Sequence, residues 1–377
     1  MRPFSILLLP GLLLGSSPEV LASVFSGPEI QAVQAAASPS APPAPEELLT
    51  DKAEAPPAAT FPSRKDKRPG WLPDISGYIQ LGCEGSNSTS SFFIKRACLY
   101  LTGSPAPKLD YYFQFDFTLP AIIDACIAYR PFRQLGIKAG QYKVPFSIEN
   151  TIYAPVRFEF IEYPLALTRL MGLNDLCGLR STGRDLGVSL YGGFIRRGDR
   201  NLIDYEIGVF NGEGINTRDR NRSKDLSAQL AIQPLPGLRV SASGYRGEYG
   251  PDHRRRVRYG AGICYDRNAV VLRSEWIGGE TGIPAGEGSA PGRILESRGW
   301  YAMGGWRITP AWMPVVRYDT FLEEASNRQS RQCNCTAGTV WQPIRHLRCQ
   351  VNYTFEYYAA RGVANRNVLS VMLSGIF

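Results

Sequence analysis

The side chains best able to do chemistry in this chain are cations set among alternating apolar and polar residues. A guanidinium group stays charged at ordinary pH and can hold a carboxylate or a phosphate through two parallel hydrogen bonds. The 377-residue chain has a formal net charge of +8. Such an excess raises the local concentration of anions near the protein. Eight cations form the predicted anion path: Arg96, Lys138, Arg157, Arg169, Arg180, Arg184, Arg317 and Arg348.

Few residues could support covalent catalysis. A catalytic Ser or Cys needs a positioned base, and the chain contains only two histidines, His253 and His346. His253 lies in the charged run DHRRRVR and His346 begins a predicted strand, so the sequence indicates no partner for either. The eight cysteines include no CxxC pair, which argues against a zinc or haem site. The sequence therefore predicts neither an enzyme nor a cofactor.

The elements that must position the cations alternate with a period of two residues. Between Leu109 and Thr118 the chain reads LDYYFQFDFT, with apolar or aromatic residues at every odd position and Asp110, Gln114 and Asp116 among the even ones. Successive side chains of a β-strand point to opposite faces. One face of this strand therefore suits lipid, whereas the other requires water. Alternation also explains the mixture of basic and aromatic residues without any binding of nucleic acid.

Sixteen segments of this kind can be counted, each bounded by turn residues. They lie near residues 76–84, 91–103, 108–118, 121–131, 134–142, 184–196, 201–211, 223–233, 237–248, 255–266, 268–279, 294–308, 311–322, 331–341, 345–357 and 367–377. An even number of such strands fits a closed barrel, which leaves no strand edge unpaired in lipid. A barrel of about 16 strands encloses an aqueous channel. The predicted fold is thus all-β, a transmembrane antiparallel β-barrel.

Composition divides the chain into three parts. Residues 1–22 combine Arg2, the apolar stretch FSILLLPGLLL and the small-residue ending Val20-Leu21-Ala22, in the order of a signal peptide. Residues 23–70 are rich in Ala and Pro, which predicts a disordered periplasmic linker. Tethering to peptidoglycan or to a partner is an alternative for this linker. Residues 71–377 form the predicted barrel, and an exported chain of two-faced strands is expected in the bacterial outer membrane.

The stretch from Lys143 to Gly183 differs from every other connection. It contains many apolar and aromatic residues, and it is too long for a strand link and too apolar for a free surface loop. We expect it to fold into the barrel lumen and to constrict it, because diameter and lining charge select solutes in such a channel. An outer lid or a contact between protomers is the alternative.

Strand alternation also sorts the remaining polar residues and the cysteines. It turns further cations and a similar number of carboxylates inward, so cross-strand ion pairs compete with an anion path as the role of these charges. Cys83, Cys333, Cys335 and Cys349 are predicted to face lipid. Three more cysteines face the lumen, and one lies in the long loop: Cys98, Cys126, Cys264 and Cys177. We expect small apolar side chains here rather than a disulfide framework.

Several motifs, in order and at similar spacings, resemble the phosphate-selective porins O and P. They read FFIKRACLYLTG, KLDYYFQFDF, DACIAYRPF, LGIKAGQYKVPFSIEN, FIEYP, GRDLGVSLYGG and IGVFNGEGIN. The resemblance covers most of the chain from Gly77 to Phe377 and is most specific from Phe92 to Gly214. It implies a sixteen-stranded barrel, commonly trimeric, with an inward-folded loop and lumenal Arg and Lys residues that guide anions. Phe377 matches the terminal aromatic residue that barrel-assembly machinery reads.

Two positions depart from the family pattern by lacking positive charge. Ala97-Cys98 follows Lys95 and Arg96 where a longer basic run is common, and Tyr163 follows Glu162 where a basic residue is usual. We therefore predict an outer-membrane porin for passive diffusion of small hydrophilic solutes, with a modest phosphate-like anion preference. Its expected partners are small anions or other small solutes, outer-membrane lipid and two further copies in a homotrimer. The alternative is a structural or adhesion barrel without transport, against which the short external loops argue.

Overall fold

The computed structural model describes residues 71–119, 121–172, 175–284 and 292–377. Within these ranges the chain forms sixteen strands: β1 (Asp74–Ser86), β2 (Ser90–Ala106), β3 (Leu109–Asp116), β4 (Ala121–Phe132), β5 (Leu135–Lys143), β6 (Arg184–Arg197), β7 (Arg200–Phe210), β8 (Asp225–Ile232), β9 (Leu238–Tyr249), β10 (Arg254–Arg267), β11 (Val270–Gly282), β12 (Ile294–Trp306), β13 (Trp312–Leu322), β14 (Arg331–Ile344), β15 (Leu347–Tyr358) and β16 (Arg366–Ile376).

Each strand pairs antiparallel with its neighbours in sequence, and β1 pairs with β16 to close the barrel. The predicted transmembrane barrel of sixteen strands is confirmed, because every strand overlaps its predicted segment. The largest extensions are of three residues, in β2, β11 and β14, and β14 continues to Ile344 beyond the predicted end at residue 341. The register shifts there, between Trp341 and Ile344, around Pro343, which has no N–H to donate to a ladder.

The two faces of the strands differ as alternation predicts. In β8, Asp225 and Ser227 are 0% exposed and point inward, whereas Leu226 and Leu230 are each 49% exposed on the outer surface. Apolar side chains covering an outer surface are stable where lipid is the solvent. The inward residues are polar and pack against the interior of the barrel.

The connection between β5 and β6 lies inside the barrel. It contains the short helices α1 (Ile148–Ile152) and α2 (Leu165–Met171), with a 3-10 turn at Pro155–Arg157 between them. The side chains of Phe146, Ile148 and Leu170 are 0% exposed although they belong to a connection rather than to a strand. The prediction that this segment folds inward is confirmed, and its apolar residues form half of the largest hydrophobic core cluster, packed against strand residues.

The predicted signal peptide at residues 1–22 and the predicted linker at residues 23–70 lie outside the described residues. Among the residues that the structure describes, no helix is long and apolar enough to cross a membrane.

The seam between the first and last strands depends on a close approach at Gly77. Its N–H donates to the carbonyl of Phe377 at 2.9 Å, and the Phe377 N–H donates back to the Gly77 carbonyl at 3.0 Å. A Cβ at Gly77 would lie 2.5 Å from the carbonyl oxygen of Cys98 and 2.6 Å from the Phe377 ring. A side chain here must therefore displace the seam.

We predict that Gly77→Val destabilises the barrel by about 1–3 kcal/mol, the usual cost of overpacking. The urea midpoint of unfolding, followed by heat-modifiable mobility on gels, measures the loss. Gly85→Val is the matched control, because Gly85 lies on the same strand and a Cβ there meets nothing within 4 Å. Equal losses in the two variants would mean that the close approach at Gly77 does not matter.

Candidate functional site

A cavity of about 270 Å³ separates the inner loop from the wall formed by β1–β4. Three cations line it, and two carboxylates face the same space: Lys95, Arg96, Arg184, Asp116 and Glu162. The strands supply Lys95, Arg96 and Asp116, Arg184 begins β6, and Glu162 comes from the loop. The cavity is therefore a polar passage with both signs of charge on its walls.

A β-bulge brings two consecutive cations of β2 to this cavity. Gln80 pairs with Arg96 and the next residue of β1, Leu81, pairs with Ile94, so Lys95 is the extra residue. In a regular strand Lys95 and Arg96 would point to opposite faces, and a bulge re-aims such a side chain. Strict alternation therefore missed Lys95. The signal in the sequence is the pair of adjacent cations in a segment that otherwise alternates.

A second bulge lies at the same level in β4. Gln114 pairs with Asp124 and Phe115 with Ile122, which leaves Ile123 as the extra residue. Ile123 and Asp124 are both buried on the inner side, and Ile123 lines the cavity. Two bulges on the wall opposite the loop thus shape the passage.

The cations at the cavity have different degrees of neutralisation. Arg184 Nε donates to Asp124 Oδ1 at 2.9 Å. Lys95 forms an ion pair with Glu162, which crosses from the wall to the loop. Arg96 Nη1 donates to the neutral Gln80 Oε1 at 3.0 Å and has no ion pair among the described residues. Arg96 is thus the cavity cation whose charge is least offset.

The opposite side of the loop is anchored to the wall by buried charge. Arg273 of β11 donates to Glu149 at 2.7 Å and to Glu159 at 3.2 Å, and its side chain is 0% exposed. The Tyr301 hydroxyl of β12 donates to the same Glu149 carboxylate at 3.1 Å. Glu275 of β11 accepts from the N–H of Ile148 at 2.9 Å. These contacts fix the first half of the loop.

The second half of the loop is fixed by arginines of β10. The Asp175 carboxylate accepts a hydrogen bond from Arg256 at 3.0 Å and lies 3.7 Å from the Arg258 guanidinium. Arg258 Nε also donates to the Leu170 carbonyl at 3.0 Å. The Cys177 thiol lies 3.4 Å from Arg258, and burial raises the pKa of this thiol to about 12. The loop is therefore tied to the wall on the side away from the cavity.

Comparisons with known proteins agree with this geometry. Residues 249–374 match the sequence model of the family described as phosphate-selective porin O and P. No curated protein sequence matches the chain. An anion-selective porin from Comamonas acidovorans shares the fold with a TM-score of 0.59 at 12% identity, over 81% of this chain and 99% of that chain. OmpF of Salmonella typhi gives 0.57 at 11% identity, over 81% and 97%. The channel DcaP of Acinetobacter baumannii gives 0.54 at 10%, also over 81% and 97%.

The protein is an outer-membrane porin. The family match confirms the resemblance seen in the sequence, and it lies C-terminal to the motifs between Phe92 and Gly214. The structural neighbours at these identities show the shared barrel fold. The barrel fold and the match to a porin family model are those of a channel, and they put this barrel in the bacterial outer membrane.

The eight cations of the predicted anion path separate into groups in the porin. Arg96 and Arg184 line the cavity. Arg317 pairs with Asp319 at 2.9 Å and donates to the Glu162 carbonyl, and Arg348 donates to the Phe158 carbonyl at 2.8 Å, so both hold the loop.

The other four predicted cations lie away from the cavity lining. Lys138 of β5 pairs with Glu206 of β7 at 2.9 Å, and Arg169 of the loop pairs with Glu323. Arg157 and Arg180 are exposed on the loop, and no ion pair among the described residues includes either. The structure thus brings two of the eight together at the cavity and leaves two more exposed elsewhere on the loop.

The cysteines are all free. Cys98, Cys126 and Cys264 are buried, as expected for inward positions, whereas Cys335 is exposed. The described part of the chain holds no group of three or more His, Cys, Asp or Glu side chains arranged to bind a metal ion.

His253 has partners that the sequence did not indicate, and that expectation is wrong. Its Nδ1 lies 2.8 Å from Glu248 and 3.2 Å from the Ser223 hydroxyl at the rim of the barrel. Ser223 also donates directly to Glu248 at 2.6 Å. In a catalytic triad one ring nitrogen of the histidine contacts the nucleophile and the other contacts the carboxylate. Here both partners contact one nitrogen, so the cluster is an exposed hydrogen-bond network.

We predict that Arg273→Met loosens the inner loop. Removing one partner of a buried ion pair costs about 3–5 kcal/mol, because the remaining charge stays buried and unpaired. Single-channel recordings should show larger and noisier conductance, and trypsin should cleave at the loop arginines. Arg255→Met is the control, since the Arg255–Glu280 pair lies on the outer face. Quiet channels of unchanged conductance would show that the loop does not depend on Arg273.

Proposed function

We propose that the porin is a passive channel with a modest preference for small anions. The observation that carries this proposal is the charge around the cavity. The cations Lys95, Arg96 and Arg184 are nearly balanced by carboxylates of the same walls, so the passage alone has no strong field. The exposed loop cations Arg157 and Arg180 add positive charge that makes the sum positive.

The Asp116 carboxylate lowers the positive electrostatic potential of the cavity less than its place in the cavity wall suggests. Its Oδ1 accepts from the N–H of Ala97 at 3.2 Å, from the N–H of Thr118 at 2.9 Å and from the Thr118 hydroxyl at 2.7 Å. Donors aimed at a carboxylate compensate part of its charge locally. Arg96, by contrast, faces a neutral amide. An anion entering the cavity therefore meets Arg96 as its strongest local attraction.

The arrangement supports passage rather than tight capture. A tight phosphate site would need several guanidinium groups converging without competing carboxylates. Here Arg184 is engaged by Asp124 and Lys95 by Glu162, so one cation of the cavity remains available. The Comamonas acidovorans porin, which is named as anion-selective, supports the same sign of preference.

We also infer that the protein has no enzymatic role and that its partners are small solutes, outer-membrane lipid and two further copies of itself. The shared contact of Ser223 and Glu248 with one nitrogen of His253 supports the first point. Purified protein should conduct on simple reconstitution, and an electrically silent, folded barrel would favour the structural or adhesion role. Analytical ultracentrifugation in detergent tests the homotrimer.

The domain boundaries complete the proposal. We expect residues 1–22 to be removed on export and residues 23–70 to remain as a periplasmic linker before the barrel at residues 71–377. N-terminal sequencing of protein from isolated outer membranes should begin near Ser23. A mature chain that begins at Met1 would contradict the signal peptide.

We predict opposite shifts of the reversal potential for two substitutions at the cavity. Arg96→Ala should lower the chloride-to-potassium permeability ratio about fourfold, since a unit charge at roughly 10 Å in water changes the energies of chloride and potassium by about 0.4 kcal/mol each, in opposite directions. Glu162→Gln should raise it by a similar factor, because Lys95 loses its counter-charge. Planar bilayers in a potassium chloride gradient measure both.

Arg267→Ala is the matched control for these substitutions, because Arg267 is exposed on the outer face of β10. It should leave the ratio unchanged. A wild-type channel that prefers cations, or one blocked by micromolar phosphate, would contradict the proposal from opposite directions.

A further inference from the structure

Charged side chains on the outer face of the barrel are concentrated on one side and at one end. At the end that carries the long loops, the outward strand positions with charge lie on β9–β12 and β14 in the described chain. They are Arg246, Glu248, Arg255, Glu280, Glu296, Arg298 and Arg331. On the described strands β1–β8 no charged side chain faces outward at this end: Lys143 and Arg184 hold outward positions in the register, but they turn inward to the Tyr153 carbonyl and to Asp124. Long loops mark the extracellular end of a bacterial barrel.

Ion pairs account for part of this band. Arg255 forms an ion pair with Glu280, and the Glu248 carboxylate lies 2.8 Å from His253 Nδ1. No ion pair among the described residues includes Arg298 or Arg331, and both side chains are exposed. Glu296 lies on the same face as Arg298, one outward step closer to the loops. The two arginines thus carry charge that the described part of the barrel does not neutralise.

Arg298 and Arg331 lie at one level of the sheet. Arg298 of β12 pairs with Leu322 of β13, and Leu322 pairs with Arg331 of β14. Two strand spacings put the Cα atoms of the arginines about 10 Å apart. Leu322 is only 7% exposed although its position faces outward, so neighbouring side chains cover it. Long arginine stems can cover apolar surface while their charged heads reach a polar layer.

Aromatic side chains mark the boundary of the apolar belt just below this pair. Trp300, the next outward residue of β12, packs against Tyr318 with ring centroids 5.3 Å apart. Trp276 and Tyr259 form a similar pair on β11 and β10, at 5.5 Å. Girdles of aromatic residues lie at the interfaces of membrane barrels. Arg298 is one outward step nearer the loops than Trp300, so we place it at the height of the lipid headgroups.

We propose that Arg298 and Arg331 bind a phosphate group of the outer-leaflet lipid, a phosphorylated glycolipid. Guanidinium groups hold phosphate oxygens through charge-assisted bidentate hydrogen bonds. An outward cation is costly in hydrocarbon and nearly neutral at the interface, so a phosphate partner explains two such residues beside an aromatic girdle. The shared level of the two arginines allows one headgroup to contact both. This site lies on the outside of the porin and is independent of the solute passage.

The test measures lipid binding to the full-length porin in detergent. Native mass spectrometry counts bound lipid as diphosphorylated lipid A is titrated against wild-type protein and against Arg298→Gln/Arg331→Gln. The double variant should bind roughly 30-fold more weakly, since each surface cation near anionic lipid contributes about fivefold. Arg267→Gln is the matched control, an exposed outward arginine at the turn end of β10, and should bind as wild type does. Heat-modifiable mobility and unchanged conductance verify that each variant is folded.

Four results would overturn the proposal. One is equal binding of the double variant and the wild type. Another is equal loss in Arg267→Gln, which would indicate general electrostatic attraction without a site. The third is equal binding of dephosphorylated lipid A, because phosphate would then not be recognised. Displacement of lipid A by millimolar inorganic phosphate would assign the arginines to free anions instead, and we expect no such displacement.

Discussion

The pairing of backbone hydrogen bonds in a medium without water is the constraint on which the rest of this structure depends. Lipid offers no partner for an unpaired N–H or C=O, so a sheet can span it only when closed. The reciprocal hydrogen bonds of Gly77 and Phe377 help to pair the first strand with the last and so close the sheet. Once the sheet is closed, alternation must put one set of side chains in lipid and the other in the lumen. The polar interior, and therefore the possibility of a channel, follows from closure.

The same constraint explains why many lumenal cations are not available to solutes. A loop inside the barrel brings its own backbone carbonyls into a confined space, and buried polar groups need partners. Arg348 and Gln350 donate to the Phe158 carbonyl, and Arg258 donates to that of Leu170. Buried carboxylates of the loop receive other arginines in the same way. Cations of the β10–β15 wall thus hold the loop in place. Selectivity between solutes therefore depends on the few cations that line the cavity.

The sequence predicts the strands well and the site only in part. Strand order, number and facing follow from period-two alternation, because each side of the barrel wall has a different solvent. Alternation fails where the backbone departs from regular pairing, and the bulge at Lys95 is such a place. It also cannot assign long-range partners. Nothing in the sequence indicates that the guanidinium of Arg317, which pairs with Asp319 of its own strand, also reaches the loop, or that His253 contacts Ser223.

The two sides of the barrel differ both in their contacts with the inner loop and in the charge on their outer surfaces. The free-energy cost of desolvating charged side chains relates the outer surface to the contacts that each side can make. The wall that anchors the loop inside also carries the outward charged band, with Arg298 and Arg331 among its members. The wall that faces the cavity has uncharged outward residues such as Ile79, Leu81 and Phe92. Burying charged side chains against another protein costs free energy unless each finds a partner, whereas burying apolar ones does not. We propose that any contact between copies of this porin uses the uncharged β1–β8 side, because this choice leaves the charged band facing lipid.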